Sequence, residues 1–436
     1  MLDIDLIRNN KEVILDDLKK RGDENLVKTL DEVIELDKRH NALKKQLDGL
    51  KHKRNTSSKE ISELIKQKKT AEAQNLKKEV KALSEEIKEK DKEELEQSRK
   101  LRQLMLLFPN ILHKSVPTGK DDKENLEIRK WGKIRKYNFP ILSHIELGEY
   151  HDLFDLERAA KVAGARFYYL KNDAVKLEFA LISFAIDFLK KKGFTLMITP
   201  MLIKKEVLEG AGFLPAGAED IYKIEGEDKY LVGTSEQALC GYYANETLLE
   251  KNLPVRICGY SSCFRTEAGS HGKDTKGIFR VHQFEKIEMF VFCRPDKSWE
   301  EHEKLINIAE EITQLLEIPY RVVNICTGDI GVVAAKKYDI EAWFPSQNAY
   351  REIVSCSNCT DYQARRMDIR YRKEEGTSPL GFVHTLNSTS IAISRMIVAI
   401  LENHQQKDKS IKIPKALQKY FGADKIAKEE YKRVCR

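Results

Sequence analysis

Between about residues 25 and 108 the apolar positions form a helical stripe, and nearly everything between them is charged or polar. Leu30, Val33, Leu36, Leu43, Leu47 and Leu50 recur at spacings of three and four, with one turn skipped, and Ile61, Leu64 and Ile65 continue the series. Leu76, Val80, Leu83 and Ile87 begin a second stripe, extended by Leu95, Leu101 and Leu104, and no proline interrupts before Pro109. Such spacing buries one seam of a helix against a partner, so it predicts a coiled coil. The phase is lost over residues 67–71. That places the tip of an antiparallel hairpin near 67–72, with helices of roughly 55 Å each at ~1.5 Å per residue.

Beyond a polar linker at 117–120 the pattern changes to short strand-like runs, turns and amphipathic helices. Residues 175–192 read as a helix with Leu177, Leu181, Phe184, Ala185 and Phe188 on one side, ended by Gly193, and 194–202 as a strand containing Pro200. Residues 253–292 read as two strands joined by a polar, glycine-containing loop, 298–316 as a helix, 321–325 and 350–355 as strands, and 390–405 as a final helix. Antiparallel strands interspersed with helices predict an α+β domain rather than a doubly wound sheet. The expected organisation is an N-terminal domain over 1–115 carrying the hairpin (about 25–108), then an α+β domain over 116–436. Gly210-Ala211-Gly212 and Gly217 follow a helix-like stretch, so they suit a substrate-side loop better than a dinucleotide fingerprint.

Charge sharpens this picture only locally. The 436 residues carry 76 Lys+Arg against 69 Asp+Glu, a formal +7, which is a mild hint of a polyanionic partner. The hairpin's distal half concentrates the bases: Lys44, Lys45, Lys51, Lys53 and Arg54 on the first helix, with Lys59, Lys66, Lys68, Lys69, Lys77 and Lys78 around the tip. Such a stripe attracts a phosphate backbone without reading sequence; a solvated helix surface would look the same. No apolar run approaches the ~18 residues that span a bilayer, and the N-terminus has no apolar signal core, so the expectation is a cytoplasmic protein away from membranes. The eight cysteines are scattered through apolar segments, which predicts reduced thiols. Cys356-Ser357-Asn358-Cys359 is an isolated C-x-x-C, and no zinc is expected.

The chemistry concentrates in Cys263-Phe264-Arg265-Thr266-Glu267-Ala268-Gly269-Ser270 and Gly277-Ile278-Phe279-Arg280-Val281-His282-Gln283-Phe284-Glu285. Arginines on both strands can grip phosphate oxygens bidentately. A carboxylate can accept from an exocyclic amine, and Phe284 offers a face for a base. No P-loop signature occurs, so phosphates would be held by side chains. An isolated Arg-x-Glu is more often a solvated hairpin face, but the whole stretch resembles motif 2 of class II aminoacyl-tRNA synthetases, and specifically of seryl-tRNA synthetases. The resemblance runs through essentially the whole chain, from Met1-Leu2-Asp3-Ile4-Asp5-Leu6-Ile7-Arg8 onward. Residues 269–275, 280–287 and 355–366 look like the eukaryotic cytosolic and some archaeal versions.

That resemblance implies an enzyme that activates L-serine with ATP to seryl-adenylate and transfers it to the 3′-end of serine tRNA, or of selenocysteine tRNA where one is present. It implies a class II antiparallel-sheet domain with motif 1 over about 175–202, motif 2 over 255–292 and motif 3 over 384–405, and a homodimer built through motif 1. Arg265 falls on the arginine holding the α-phosphate and serine carboxylate, and Arg395 on the motif 3 arginine reaching the γ-phosphate. Thr266, Glu267, Arg280, Val281 and Phe284 lie where ATP binds, with Ile353 and Val354 beside Glu352 and Ser355, which match the magnesium ligands. Serine recognition maps onto Thr234, Ser235, Glu236, Arg265, Glu288, Asn387 and Thr389. The arm, with Lys44, Lys45, Lys51, Lys53 and Arg54, would meet the long variable arm of serine tRNA. Ser388, Ser390 and Ser394 stand where bacterial members carry glycine, adding side chains where the backbone approaches ATP.

Overall fold

The computed structural model describes residues 1–268, 274 and 276–428. The chain divides into two units, Leu2–Pro109 and the chain from Asn110 onward.

In the first unit, short helices α1 (Ile4–Asn9) and α2 (Lys11–Arg21) precede α3 (Glu24–Lys66, 43 residues) and α4 (Thr70–Met105, 36 residues). Asp23 starts α3 by accepting from the Leu26 amide, and Lys68 at φ +60° makes the reversal. The expected seam is the buried one at Leu30, Val33, Leu43, Leu47 and Ile87. Ile65 and Leu95 depart from it and stand 52% and 47% exposed. The turn skipped in the first stripe is occupied by His40, whose Nε2 lies 2.9 Å from Glu94 Oε1 on α4. A polar layer therefore replaces leucine there, which fixes register at some cost in stability. Lys51 is not a free cation, since it reaches Asp91 at 2.8 Å.

The second unit is built on an eight-stranded sheet: β1 (Leu126–Trp131), β2 (Thr195–Ile198), β3 (Val255–Phe264), β4 (Gln283–Cys293), β5 (Tyr320–Asn324), β6 (Lys336–Phe344), β7 (Ala349–Asn358) and β8 (His384–Ala392). Their order is β1-β5-β6-β7-β8-β4-β3-β2, antiparallel throughout except for the β2–β3 pair. Helices α5 (Asp173–Lys191), α6 (Ser298–Leu315) and α7 (Ile393–Asn403) cover it, with Leu177, Leu181, Ala185, Ile306, Ala309, Ile397 and Leu401 in the main core. Burial of these side chains, at about 25 cal/mol per Å² of apolar surface, is what holds helix to sheet.

Three expectations shift. Arg265 and Arg280 lie outside the strands, because β3 ends at Phe264 and β4 begins at Gln283. The left-handed φ of +53° at Glu267 turns the chain away from the ladder there. The segment expected as helix from 390 is strand through Ala392, with helix only from Ile393. A strand buried on both faces gives no alternation to distinguish it from a helix. Gly210 and Ala211 belong to a short helix, Lys205–Ala211, that Gly212 ends at φ +90°.

Candidate functional site: a polar cleft across the central strands

Period-two alternation places Phe284, Lys286 and Glu288 of β4 on one face of the sheet. On the neighbouring strand Thr389 stands opposite Glu288, and its Oγ1 donates to Glu288 Oε2 at 3.3 Å. Asn387, two residues earlier on β8, shares that face. Its Nδ2 donates to Glu236 Oε1 at 3.0 Å, and Gln363 Nε2 donates to the same oxygen at 3.1 Å. Glu236 sits in the first turn of a short helix, Ser235–Cys240, whose N-cap Thr234 accepts from the Glu236 amide. Burial, reinforced by the charge of Glu288 and opposed by Lys286, pushes the Glu236 carboxyl up to about 7.

The other half of the cleft is basic. Arg265 is anchored by its Nε, which donates to Gly233 O at 3.1 Å, and its guanidinium lies 5.3 Å from the Phe284 ring centroid. Its backbone is tied to His282, whose carbonyl accepts from the Arg265 amide at 3.0 Å and whose Nδ1 donates to the Arg265 carbonyl at 2.9 Å. Arg280 Nη1 donates to Glu267 Oε2 at 2.6 Å. Asp274 accepts from both Nη groups of Arg351, at 3.1 and 2.5 Å. Arg395, in the first turn of α7, lies 3.4 Å from Glu352 Oε2 and donates to the Glu352 carbonyl at 3.1 Å.

Glu352 and Ser355 are three apart on β7, so strict alternation would send them to opposite faces. The ladder with β6 slips by one residue at Ile353, and this bulge returns both to the cleft. Burial raises the Glu352 pKa, but Arg395, Lys337 and Arg265 outweigh it and bring it down to about 2. A carboxylate with a hydroxyl on the same face is a donor set that suits a hard divalent cation. A second bulge, at Ser390, separates Thr389 from Ile391. Ser388 is buried and donates to the Thr389 carbonyl, and Ser390 is also fully buried, so of the three motif 3 serines only Ser394 reaches the cleft.

Of the residues singled out from the sequence, Thr234, Glu236, Arg265, Glu267, Arg280, Val281, Phe284, Glu288, Glu352, Ile353, Ser355, Asn387, Thr389 and Arg395 line one cleft. Thr266, Ser235 and Val354 do not. Thr266 turns its hydroxyl to the Glu219 carbonyl, Ser235 donates to Gly259 O, and Val354 belongs to the core. Lys286 was missed; its Nζ is 2.6 Å from Glu288 Oε2, and the spacing between Phe284 and Glu288 could have found it. Phe213 and Phe279 were also missed. Residues 269–273 and 275 of the connecting loop lie outside the described residues, as does Cys435. The described cysteines are unpaired and buried, and Cys359 Sγ accepts from Asn387.

Comparisons with known proteins identify the family. The seryl-tRNA synthetase N-terminal domain matches residues 1–112, and the class II core domain of tRNA synthetases for G, H, P, S and T matches 221–404. A serine–tRNA ligase of Methanoregula boonei is 50% identical, covering 97% of this chain and 99% of the relative. One from Pyrococcus horikoshii is 49% identical, covering 100% and 99%. Among solved structures, P. horikoshii seryl-tRNA synthetase complexed with ATP superposes with a TM-score of 0.91 at 48% identity, covering 99% of this chain and all of the other. The cytoplasmic serine–tRNA ligase of Naegleria fowleri in complex with AMP gives 0.85 at 39%, covering 99% of each. Full-length similarity at this level, on a helical arm and a class II sheet, places the chain in the seryl-tRNA synthetase family, the serine–tRNA ligases among the class II aminoacyl-tRNA synthetases.

Proposed function

We propose that this serine–tRNA ligase activates L-serine with ATP in the Glu236–Arg395 cleft and then passes the seryl group to the 3′-end of serine tRNA. The observation that carries the assignment is the charge lining of the cleft: Glu236 and Glu288 about the single Lys286, and Arg265, Arg280 and Arg395 with Glu267 and Glu352. The serine ammonium suits the acidic end, and Thr389 and Glu288 can hydrogen-bond its hydroxyl. An alanine would leave those groups unpaired, which a buried polar pocket penalises strongly.

At the basic end Arg265 bridges serine carboxylate and α-phosphate, while Phe284 and Glu267 take the base and Arg395 the terminal phosphate. Attack of the serine carboxylate on the α-phosphorus builds negative charge on equatorial oxygens that fixed guanidinium groups stabilise, and pyrophosphate leaves. Magnesium would be held by Glu352 and Ser355 and would supply charge neutralisation. In the second step the terminal adenosine hydroxyl attacks the seryl carbonyl and AMP leaves.

The basic stripe of the hairpin, Lys44, Lys45, Lys53 and Arg54 above all, suits the backbone of a long variable arm. A homodimer through the motif 1 region is supported by the exposed apolar side chains of α5 and β2. Phe179 and Ile198 are 63% and 84% exposed, beside Leu196 and Met201. No helix among the described residues is long and apolar enough to cross a membrane. The test of the whole reading is serine-dependent ATP–pyrophosphate exchange, followed by transfer of labelled serine to tRNA. Exchange driven by another amino acid, or none with serine, would overturn it.

A further inference from the structure

Phe279 is a residue of the returning segment that the proposed reaction does not use. It is 4% exposed, packs edge-on against Phe344 at 5.2 Å and 88°, and lines the cleft. Two guanidinium groups share its ring. Arg351 Cζ lies 4.5 Å and Arg395 Cζ 5.1 Å from the centroid. Each arginine also has its own acid, Asp274 for Arg351 and Glu352 for Arg395. Two like charges brought to one small area repel, and a flexible arginine has many rotamers that avoid the encounter. The negative face of an aromatic ring offsets the repulsion and restricts both side chains.

The backbone that delivers the ring is also fixed. Gly277, at φ +80°, passes so close to His144 that a Cβ there would lie 2.1 Å from its Nε2. His144 is itself held, its Nδ1 3.1 Å from Glu402 Oε1, and the second oxygen of that fully buried carboxylate accepts from the Ser346 amide at 3.1 Å. The turn two residues before Phe279 is thereby seated against a buried His–Glu pair. The ring is therefore anchored by contacts independent of the two arginines.

We propose that Phe279 is a positioning residue for the nucleotide: its ring presets the Arg395 guanidinium, and Arg351 beside it, for the terminal phosphates of ATP. The inference rests on the assignment of Arg395 to those phosphates. An aliphatic side chain of similar volume would fill the core but supply no quadrupole.

The experiment is steady-state pyrophosphate exchange on the full chain, with ATP and serine varied in turn. The variants are Phe279→Leu, Phe279→Tyr, Arg395→Lys and the double variant Phe279→Leu/Arg395→Lys. Phe279→Met, unbranched and also non-aromatic, serves if the leucine variant does not fold. The expected result for the non-aromatic variant is a KM for ATP raised on the order of tenfold, as removal of a desolvated cation–π interaction implies. The KM for serine should stay within about twofold, and tyrosine should keep the wild-type ATP value. In the Arg395→Lys background the same substitution should cost clearly less, because touching residues couple. An unchanged KM for ATP, a parallel rise for serine, a tyrosine variant as impaired as leucine, or an equal cost in both backgrounds would each overturn the proposal. If Arg395→Lys alone leaves ATP binding untouched, the phosphate assignment of Arg395 is what fails.

Discussion

Arg265→Ala is the sharpest test of the chemistry assigned to the cleft. The arginine spends its Nε on the Gly233 carbonyl, so its orientation is set by the protein and its Nη edge is left for the substrate. Removing a fixed donor aimed at developing oxyanion charge typically costs about 3–4 kcal/mol, or 10²–10³ in rate. One further loss follows from the geometry. The Phe284 ring loses the cation 5.3 Å from its centroid, worth ~0.5–1 kcal/mol. Together these predict a fall of roughly 10³-fold in serine-dependent exchange, since ~1.36 kcal/mol is tenfold in rate. Arg265→Lys should recover part of it, as a point charge without the planar fork. The unpaired Gly233 carbonyl costs ~1 kcal/mol of stability, so a thermal melt must show that the variant is folded. Exchange within about tenfold of wild type in a folded Arg265→Ala protein would refute the assignment of this residue to charge stabilisation.

Three other outcomes are expected. Removing residues 40–92 and closing the helices with a short loop should leave adenylate formation intact while tRNA charging falls. The salt slope of tRNA binding should flatten by about 0.9 for each phosphate no longer neutralised, and undiminished charging at ~150 mM salt would make the arm a spacer only. With the Glu236 carboxyl at about 7, kcat/KM for serine should rise as pH goes from 6 to 8, because the ionised form binds the ammonium; Glu236→Gln should abolish that rise. Ile198→Asp with Phe179→Glu should convert a dimer to monomer in sedimentation velocity, and an unaltered dimer would place the interface elsewhere.

How much of this was legible from the sequence depends on range. The hairpin was readable because its periodicity is local: each leucine of the seam predicts the next. Its polar layer was not, since His40 and Glu94 are 54 residues apart and neither is unusual in a charged helix. Motif residues were legible one by one through resemblance, but their facing was not. The bulges at Ile353 and Ser390 each add one residue to a strand, and a single residue reverses the face of all that follow. Alternation alone would have denied Glu352 and Ser355 a common cation. The hydrogen bonds that fix the carboxylates, Asn387 to Glu236 across 151 residues and Arg351 to Asp274 across 77, exist only once the sheet has closed.

The same closure explains why a cleft with so many charges can be stable. The bases lie on different elements: Arg265 after β3, Arg280 before β4, Lys286 on β4, Arg351 on β7 and Arg395 on α7. Arg280, Lys286, Arg351 and Arg395 each meet a carboxylate from another residue of the wall. A partly buried charge left alone would neutralise or move; paired, it is held at a fixed angle. The acids are not spread evenly, however. Glu236 and Glu288 lie near one another with Lys286 as counter-ion, and burial, reinforced by that repulsion, raises the carboxyl of Glu236. Glu352 sits among three cations and is pulled the opposite way. Two carboxyls of one chemical type, displaced in opposite directions within one cleft, define an axis. In the proposed reaction serine's ammonium and the phosphates of ATP arrive on two molecules and are drawn to opposite ends of that axis, which brings the serine carboxylate towards the α-phosphate.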